Sequence, residues 1–85
     1  MIIEVTQDDI RNGVKGDTCA CPVALALQRY FSTYIQVDAY VVAIGLEQIE
    51  LPVKVKTFIK DFDNGHTVCP FAFELSAGPM AERGI

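Results

Sequence analysis

Hydrophobic residues recur along this chain with two different periods, and each period predicts a different kind of element. After Pro22, apolar side chains separated by three and four positions form the stripe of an amphipathic helix: Val23, Leu27, Tyr30, Phe31 and Tyr34. A second long helix is predicted from Pro52 to Asn64-Gly65 by the same spacing: Leu51, Val55, Phe58, Ile59 and Phe62. Proline is favoured at the first position of a helix, because no N–H is left unpaired there.

In the segment that connects these two helices, apolar and polar residues alternate, as is typical of strands. The alternation runs over residues 35–43 and predicts one continuous strand. A glycine turn follows, and residues 46–51 are expected to return as a short, exposed antiparallel strand. Further strands are predicted at residues 1–5 and 66–75. Pro70 places the last strand at a sheet edge or a bulge, since proline cannot donate to a strand ladder.

A third, shorter helix is predicted near the start of the chain. Thr6 is followed three residues later by Asp9, which is a helix-capping signal. The helix is expected to run from about Gln7 to Asn12, with Gly13 in the left-handed conformation that ends many helices. These elements together predict the α+β class: a small, mostly antiparallel sheet with two main helices packed on one face and a short N-terminal helix.

The predicted organisation is one α+β domain over residues 1–75, followed by a weakly ordered C-terminal tail at residues 76–85. Of the 85 residues, 51% are hydrophobic. This fraction is high for a small domain, whose surface is large relative to its volume. Some apolar side chains are therefore expected to be covered by a second copy or by another protein, so a homodimer or a protein partner is predicted.

Charge and cysteine content narrow the class of protein. The net charge of −4 argues against direct binding of nucleic acid, which requires a basic face. The sequence shows no signal peptide. It also shows no apolar run close to the ~20 residues needed to span a bilayer, so no membrane association is expected. Three cysteines, an odd number, fit a reducing compartment, and the protein is predicted to be cytoplasmic.

A binding surface is predicted around the junction of the first long helix and the following strand. Three tyrosines cluster there in the sequence, Tyr30, Tyr34 and Tyr40, and Val42 is expected to share the strand face of Tyr40. Tyrosine is favoured at interfaces because it is amphipathic and loses little entropy on binding. Ordinary core packing is the alternative interpretation of these four residues.

The candidate chemistry lies in Cys19, Cys21, His66 and Cys69. Thiolate and imidazole are the usual zinc ligands, and a structural zinc ion would add folding energy to so small a domain. Cys21 also precedes a helix N-terminus, which favours a thiolate and permits a redox or nucleophilic role. The alternative is that Cys21 caps the helix and that Cys69 acts as a small hydrophobic residue.

The chain also carries two longer motifs, a CPVALAL segment at residues 21–27 and an LP…FIKDFDNG…PFAFEL ending at residues 51–75. With these motifs it resembles a group of short, uncharacterised phage and bacterial proteins with a CPxALAL helix start and an LP…FIxxFDxG…PFxFEL ending. The matching residues are Val5-Thr6, Ile10, Gly13, residues 21–27, Leu51-Pro52, Phe58-Ile59, Phe62-Asp63, Gly65 and residues 70–75. The resemblance implies the same element order and a phage or mobile-element origin, and it supplies no activity.

These observations predict a small, non-enzymatic protein-binding module without a cofactor, such as a phage-encoded modulator or inhibitor of a host defence protein. The alternative function is that of a structural zinc-binding or thiol-dependent protein that uses Cys19, Cys21, His66 and Cys69.

Overall fold

The computed structural model describes residues 1–75, which contain three helices and five strands. In chain order they are β1 (Ile2–Val5), α1 (Gln7–Asn12), α2 (Pro22–Tyr30), β2 (Ile35–Val37), β3 (Val41–Ile44), β4 (Glu47–Glu50), α3 (Val53–Asp63) and β5 (Phe71–Glu74). The predicted α+β class is confirmed. The predicted tail at residues 76–85 lies outside the described residues.

All strand pairs are antiparallel, and the strands form two sheets rather than the single sheet expected from the sequence. β1 pairs with β5, and β2, β3 and β4 form a meander in that order. The outer edge of β1 is occupied by α2: the Glu4 N–H donates to the Tyr30 hydroxyl at 3.2 Å, and the Glu4 carbonyl accepts from Arg29 at 2.8 Å. Because these groups are already bonded, another strand cannot pair with β1 at Glu4.

The prediction of one strand over residues 35–43 is wrong, because the chain reverses at Ala39 and Tyr40. The Asp38 N–H donates to the Val41 carbonyl at 2.8 Å, and Val37 stands opposite Val42. The turn moves the buried positions from Ile35 and Val37 in β2 to the even-numbered Val42 and Ile44 in β3. The turn residues also lack the glycine, asparagine or aspartate that usually mark such a turn. Because residues 41–44 are all apolar, the sequence does not reveal this change of buried face.

The capping signal of α1 is confirmed, but the role predicted for Gly13 is not. The Thr6 hydroxyl accepts from the Asp9 N–H at 3.2 Å, and the Asp9 carboxylate accepts from the Thr6 N–H at 2.8 Å. Gly13 has an ordinary extended backbone with φ −72°. A Cβ atom at this position would lie 2.6 Å from the ring of Pro22. Gly13 is thus required by the close approach of α1 to the start of α2.

The core lies between the helices and the inner faces of both sheets. α3 buries the apolar face predicted for it, with Val55, Phe58, Ile59 and Phe62 among the buried side chains. α2 ends at Tyr30, one turn earlier than its apolar stripe suggests, and β5 begins directly after Pro70. None of the helices within residues 1–75 is long and apolar enough to cross a membrane.

Candidate binding surface

A groove of about 450 Å³ lies between the β2–β3 turn and α3. We call it the turn groove and define it by six of its lining residues: Ala39, Tyr40, Lys56, Thr57, Lys60 and Asn64. Its floor and far wall come from α3, which presents its polar face here while its apolar face packs into the core. The groove therefore combines one aromatic ring with lysine, hydroxyl and amide groups.

Tyr40 is held at the edge of the turn groove by the backbone of the meander. The Leu51 N–H donates to the Tyr40 carbonyl at 2.9 Å, directly beside the bond that closes the β2–β3 turn. The side chain is 70% exposed, and the Lys56 Nζ lies 6.0 Å from the centre of its ring. An ammonium at this distance is attracted to the face of the ring. The backbone of Tyr40 is thus held by β4, and its exposed ring lies near one ammonium group.

Lys56 also connects the turn groove to the end of β4. Its Nζ lies 2.8 Å from Glu50 Oε2, so one lysine contacts both Tyr40 and Glu50. The hydrogen bond and the charge of Lys56 hold the pKa of Glu50 below its ordinary value. Glu50 therefore stays ionised at neutral pH, and the turn groove and β4 form one continuous surface.

The outer edge of β4 has backbone groups that face away from the sheet. Gly45 and Leu46 form the two-residue β3–β4 turn, and Gly45 has φ 63°, as the first position of a type II′ turn requires. In such a hairpin the residues Glu47 and Ile49 exchange hydrogen bonds with β3, so the N–H and C=O groups of Gln48 and Glu50 point outward. Within residues 1–75 these four groups have no hydrogen-bond partner.

The other three edge strands are each bonded to a neighbouring element. The Glu4 N–H of β1 donates to Tyr30, and the Ala72 carbonyl of β5 accepts from Lys54 Nζ at 2.9 Å. The Val37 N–H of β2 donates at 2.8 Å to a carbonyl in the loop before α2. Among the residues described, β4 therefore differs from the other edge strands in that none of the outward backbone groups of Gln48 and Glu50 is bonded, whereas each of the other edges has at least one bonded group.

The four predicted interface residues do not form one surface. Tyr30, Tyr34 and Tyr40 are 37%, 60% and 70% exposed, but Tyr34 stands opposite Gly45, at the end of β3 away from Tyr40. Val42 is fully buried, so its prediction as an interface residue is corrected. The reason is the reversal at the β2–β3 turn, which places Val42 on the core face with Val37.

The two cysteines before α2 have different environments. Cys21 is the N-cap of α2: it is buried, and its Sγ accepts from the Ala24 N–H at 3.4 Å. Burial raises the pKa of the Cys21 thiol, which opposes the effect expected from the helix N-terminus. Cys19 is half-buried, with its Sγ 3.4 Å from the Tyr34 hydroxyl oxygen. The capping alternative considered for Cys21 is therefore the one that the structure shows.

The four residues predicted as metal ligands are not brought together. His66 is exposed, with Nδ1 3.4 Å from an Asp61 oxygen, and Cys69 is also exposed, whereas Cys21 is enclosed as a helix cap. Within residues 1–75, no group of three or more histidine, cysteine, aspartate or glutamate side chains is arranged to hold a metal ion. The four predicted zinc ligands therefore do not meet, because Cys21 is packed as a helix cap and the segment after α3 is exposed.

Thiol labelling in the native protein is expected to proceed in two phases. Cys19 and Cys69 should react first at neutral pH, and Cys21 should react slowly because its thiol is buried and its pKa is raised. Mass spectrometry after timed alkylation measures the order. Denaturant should make all three sites react at similar rates, and early labelling of Cys21 in the native protein would contradict its role as an enclosed cap.

Comparisons with protein-family models, with curated proteins and with solved structures find no significant match to this chain.

Proposed function

We propose that this chain is a non-enzymatic protein-binding module whose contact surface is the turn groove together with β4. The observation that carries the proposal is Tyr40, a largely exposed aromatic side chain at the edge of a groove, with the Lys56 ammonium 6.0 Å from the centre of its ring. Tyrosine is among the residues that dominate binding energy at protein interfaces, because its ring is large, rigid and amphipathic.

The position of Tyr40 favours binding over packing within this chain. A tyrosine used for core packing would bury its ring, as the neighbouring Val42 buries its whole side chain. Tyr40 instead lies beside a cavity large enough to receive a side chain of another protein. Its carbonyl is held by Leu51, so little backbone order would have to be gained on binding.

Charge favours a partner with a basic surface. The chain has a net charge of −4, and β4 contains two glutamates, Glu47 and Glu50. The basic residues of a partner would therefore lie along β4, because the turn groove itself carries Lys56 and Lys60. Opposite charge accelerates encounter and selects among partners. We propose that this partner is a host protein that a phage-encoded chain modulates, a role that follows from the resemblance of its motifs to phage sequences.

Photocrosslinking from position 40 tests the proposal. The full chain, with p-benzoylphenylalanine in place of Tyr40, is irradiated in lysate of the cells that naturally contain it. We expect one saturable crosslinked protein, identified by mass spectrometry, which excess unlabelled wild-type chain displaces. The matched control carries the same crosslinker at Tyr34, which is similarly exposed but lies at the other end of β3.

Two results would contradict the proposed function. One is that position 40 yields no saturable product while the chain elutes as a monomer. The other is that positions 34 and 40 yield the same products in the same amounts, since contacts made by exposure alone would not distinguish the two tyrosines.

A further inference from the structure

The open edge of β4 defines how a partner would bind. We infer that β4 receives an extended segment of a basic partner as an added antiparallel strand, an inference that rests on the proposed function and specifies its contact. In this mode of peptide recognition, backbone hydrogen bonds supply affinity and a neighbouring pocket supplies specificity. The turn groove, joined to β4 through Lys56 and Glu50, is such a pocket.

The backbone of β4 offers two complete bonding positions. Gln48 and Glu50 each turn an N–H and a C=O outward, and neither has a partner within residues 1–75. In an antiparallel pair, two directly opposite residues of this kind exchange both bonds. An added strand would therefore make four hydrogen bonds with Gln48 and Glu50, and it would extend a meander in which every existing pair is antiparallel.

The side chains of β4 specify the chemistry of the added strand. Ile49 is half-buried and packs against the core, whereas Gln48 and Glu50 are exposed on the opposite face. A strand beside β4 would place apolar residues next to Ile49 and would face Gln48 and Glu50 with its alternate residues. Opposite charges across a strand pair are favourable, and Glu50 is still 76% exposed beside its partner Lys56, so we infer a basic residue opposite Glu50 and place a second one opposite the neutral Gln48. The segment is thus an alternation of apolar and basic side chains.

The same charges favour a basic partner over a second copy of this chain. Two β4 strands paired with each other would place Glu47 and Glu50 of both copies on one short ladder. Each copy would also contribute a net charge of −4. Concentrating carboxylates in this way opposes association, whereas a basic segment removes the repulsion.

A designed peptide supplies a direct probe. The peptide has seven residues, lysine alternating with valine from a lysine at each end, with both termini blocked, and its affinity for the full chain is measured by calorimetry. A control peptide replaces every lysine with glutamate. We expect the lysine peptide to bind at one-to-one stoichiometry and the glutamate peptide to bind at least about tenfold more weakly, because its charges match those of β4.

Backbone methylation of the peptide tests the hydrogen bonds themselves. In the antiparallel arrangement the lysine residues stand opposite Gln48 and Glu50, so the lysine N–H groups point at β4 and the valine N–H groups point away. Methylating the backbone nitrogens of the lysine residues should weaken binding at least about tenfold. Methylating the backbone nitrogens of the valine residues should change binding little. Equal losses from both methylations, or a larger loss from valine methylation, would overturn the inferred pairing.

A proline at position 48 tests the same backbone hydrogen bonds from the side of the protein. The Gln48 N–H points away from β3, so Gln48→Pro removes an outward donor and leaves the internal ladder intact. Gln48→Ala removes the same side chain but keeps the donor. We expect Gln48→Pro to bind the lysine peptide at least about tenfold more weakly than Gln48→Ala does. The two variants are compared only after circular dichroism shows matching folded signals, and the methylated peptides test the pairing if Gln48→Pro is unfolded.

The remaining outcomes separate this inference from the proposed function. Equal binding by Gln48→Pro and Gln48→Ala would mean that the peptide is held by charge alone, and it would overturn the edge pairing. A dimer in sedimentation analysis that Gln48→Pro dissociates would mean that a second copy occupies β4, which also overturns it. If Gln48→Pro still yields the wild-type crosslinked product at position 40, the edge inference fails and the proposed function stands. If no variant gives a crosslinked partner, the proposed function fails.

Discussion

Replacing Asp9 by alanine is expected to destabilise the fold by about 2–4 kcal/mol. Asp9 is buried, and its carboxylate accepts from the Thr6 N–H at 2.8 Å and from Arg29 Nη2 at 2.9 Å. Arg29 also donates to the Glu4 carbonyl at 2.8 Å, so this one carboxylate links α1, α2 and β1. Its removal leaves the Thr6 N–H without its acceptor and Arg29 without its carboxylate partner. Because Arg29 is half-exposed and can bind water, the loss falls below that of a fully buried pair.

Urea unfolding of Asp9→Ala and of the matched variant Asp8→Ala measures this effect. Asp8 pairs with Arg11 at the exposed surface of α1, so its removal should cost less than about 0.5 kcal/mol. Equal losses from the two variants would contradict the bridging role of Asp9.

The contribution of Asp9 should also depend on pH. Burial alone would raise its pKa, but the hydrogen bonds from Arg29 and Thr6 outweigh burial and hold the pKa below the ordinary value of 3.8. A carboxyl with a lower pKa in the folded state stabilises the fold above its unfolded pKa, and this stabilisation is lost as the pH falls through the folded value. The difference in the free energy of unfolding between wild type and Asp9→Ala should therefore be constant near neutral pH and shrink below about pH 4. A difference that stays constant through acid would contradict this.

Changing Val42 to aspartate is expected to unfold the protein, with a loss of more than about 4 kcal/mol. Val42 is fully buried on the core face of β3, where it stands opposite Val37 and Ile49. A carboxylate there would lose its hydration without gaining a partner. Tyr40→Asp, two residues earlier, should stay folded with a loss below about 1 kcal/mol, since its side chain is largely exposed.

Thermal unfolding followed by circular dichroism compares the two aspartate variants. The comparison is specific to the β2–β3 turn, because a single continuous strand would place positions 40 and 42 on one face and make both substitutions similar. Similar stabilities for the two variants, or a folded Val42→Asp, would contradict the reversal at Ala39 and Tyr40.

Local signals predicted most elements of the fold. The α1 cap formed by Thr6 and Asp9 involves residues three positions apart, so the sequence contains the whole interaction. α3 was predicted for a similar reason, since its apolar spacing and its ends are both local. The β2–β3 reversal was missed because its turn has no marker residue and because residues 41–44 are all apolar, so the change of buried face from Val37 to Val42 leaves no trace in the pattern. The division into two sheets depends on contacts of Arg29, Tyr30 and Lys54 that are distant in sequence.

The candidate surface was predicted in part. Tyr40 was identified from its residue type, and the structure places it in an exposed turn. The open edge at Gln48 and Glu50 was missed, although a glycine turn before residue 47 and Pro52 after it indicated a short, exposed strand. Whether an edge is open depends on what covers the other strands, which is a property of the whole fold. The grouping of Cys21 with His66 failed for the same reason, because packing decides which side chains meet.

Amide hydrogen exchange at Gln48 and Glu50 tests the central claim most directly. The two N–H groups point away from β3 and should exchange rapidly in the free protein, whereas the N–H of Ile49, bonded within the hairpin, should exchange more slowly. Saturating lysine–valine peptide should slow exchange at Gln48 and Glu50 at least about tenfold and leave the amides of α1 unchanged. Peptide binding without protection of Gln48 and Glu50 would contradict strand addition at β4.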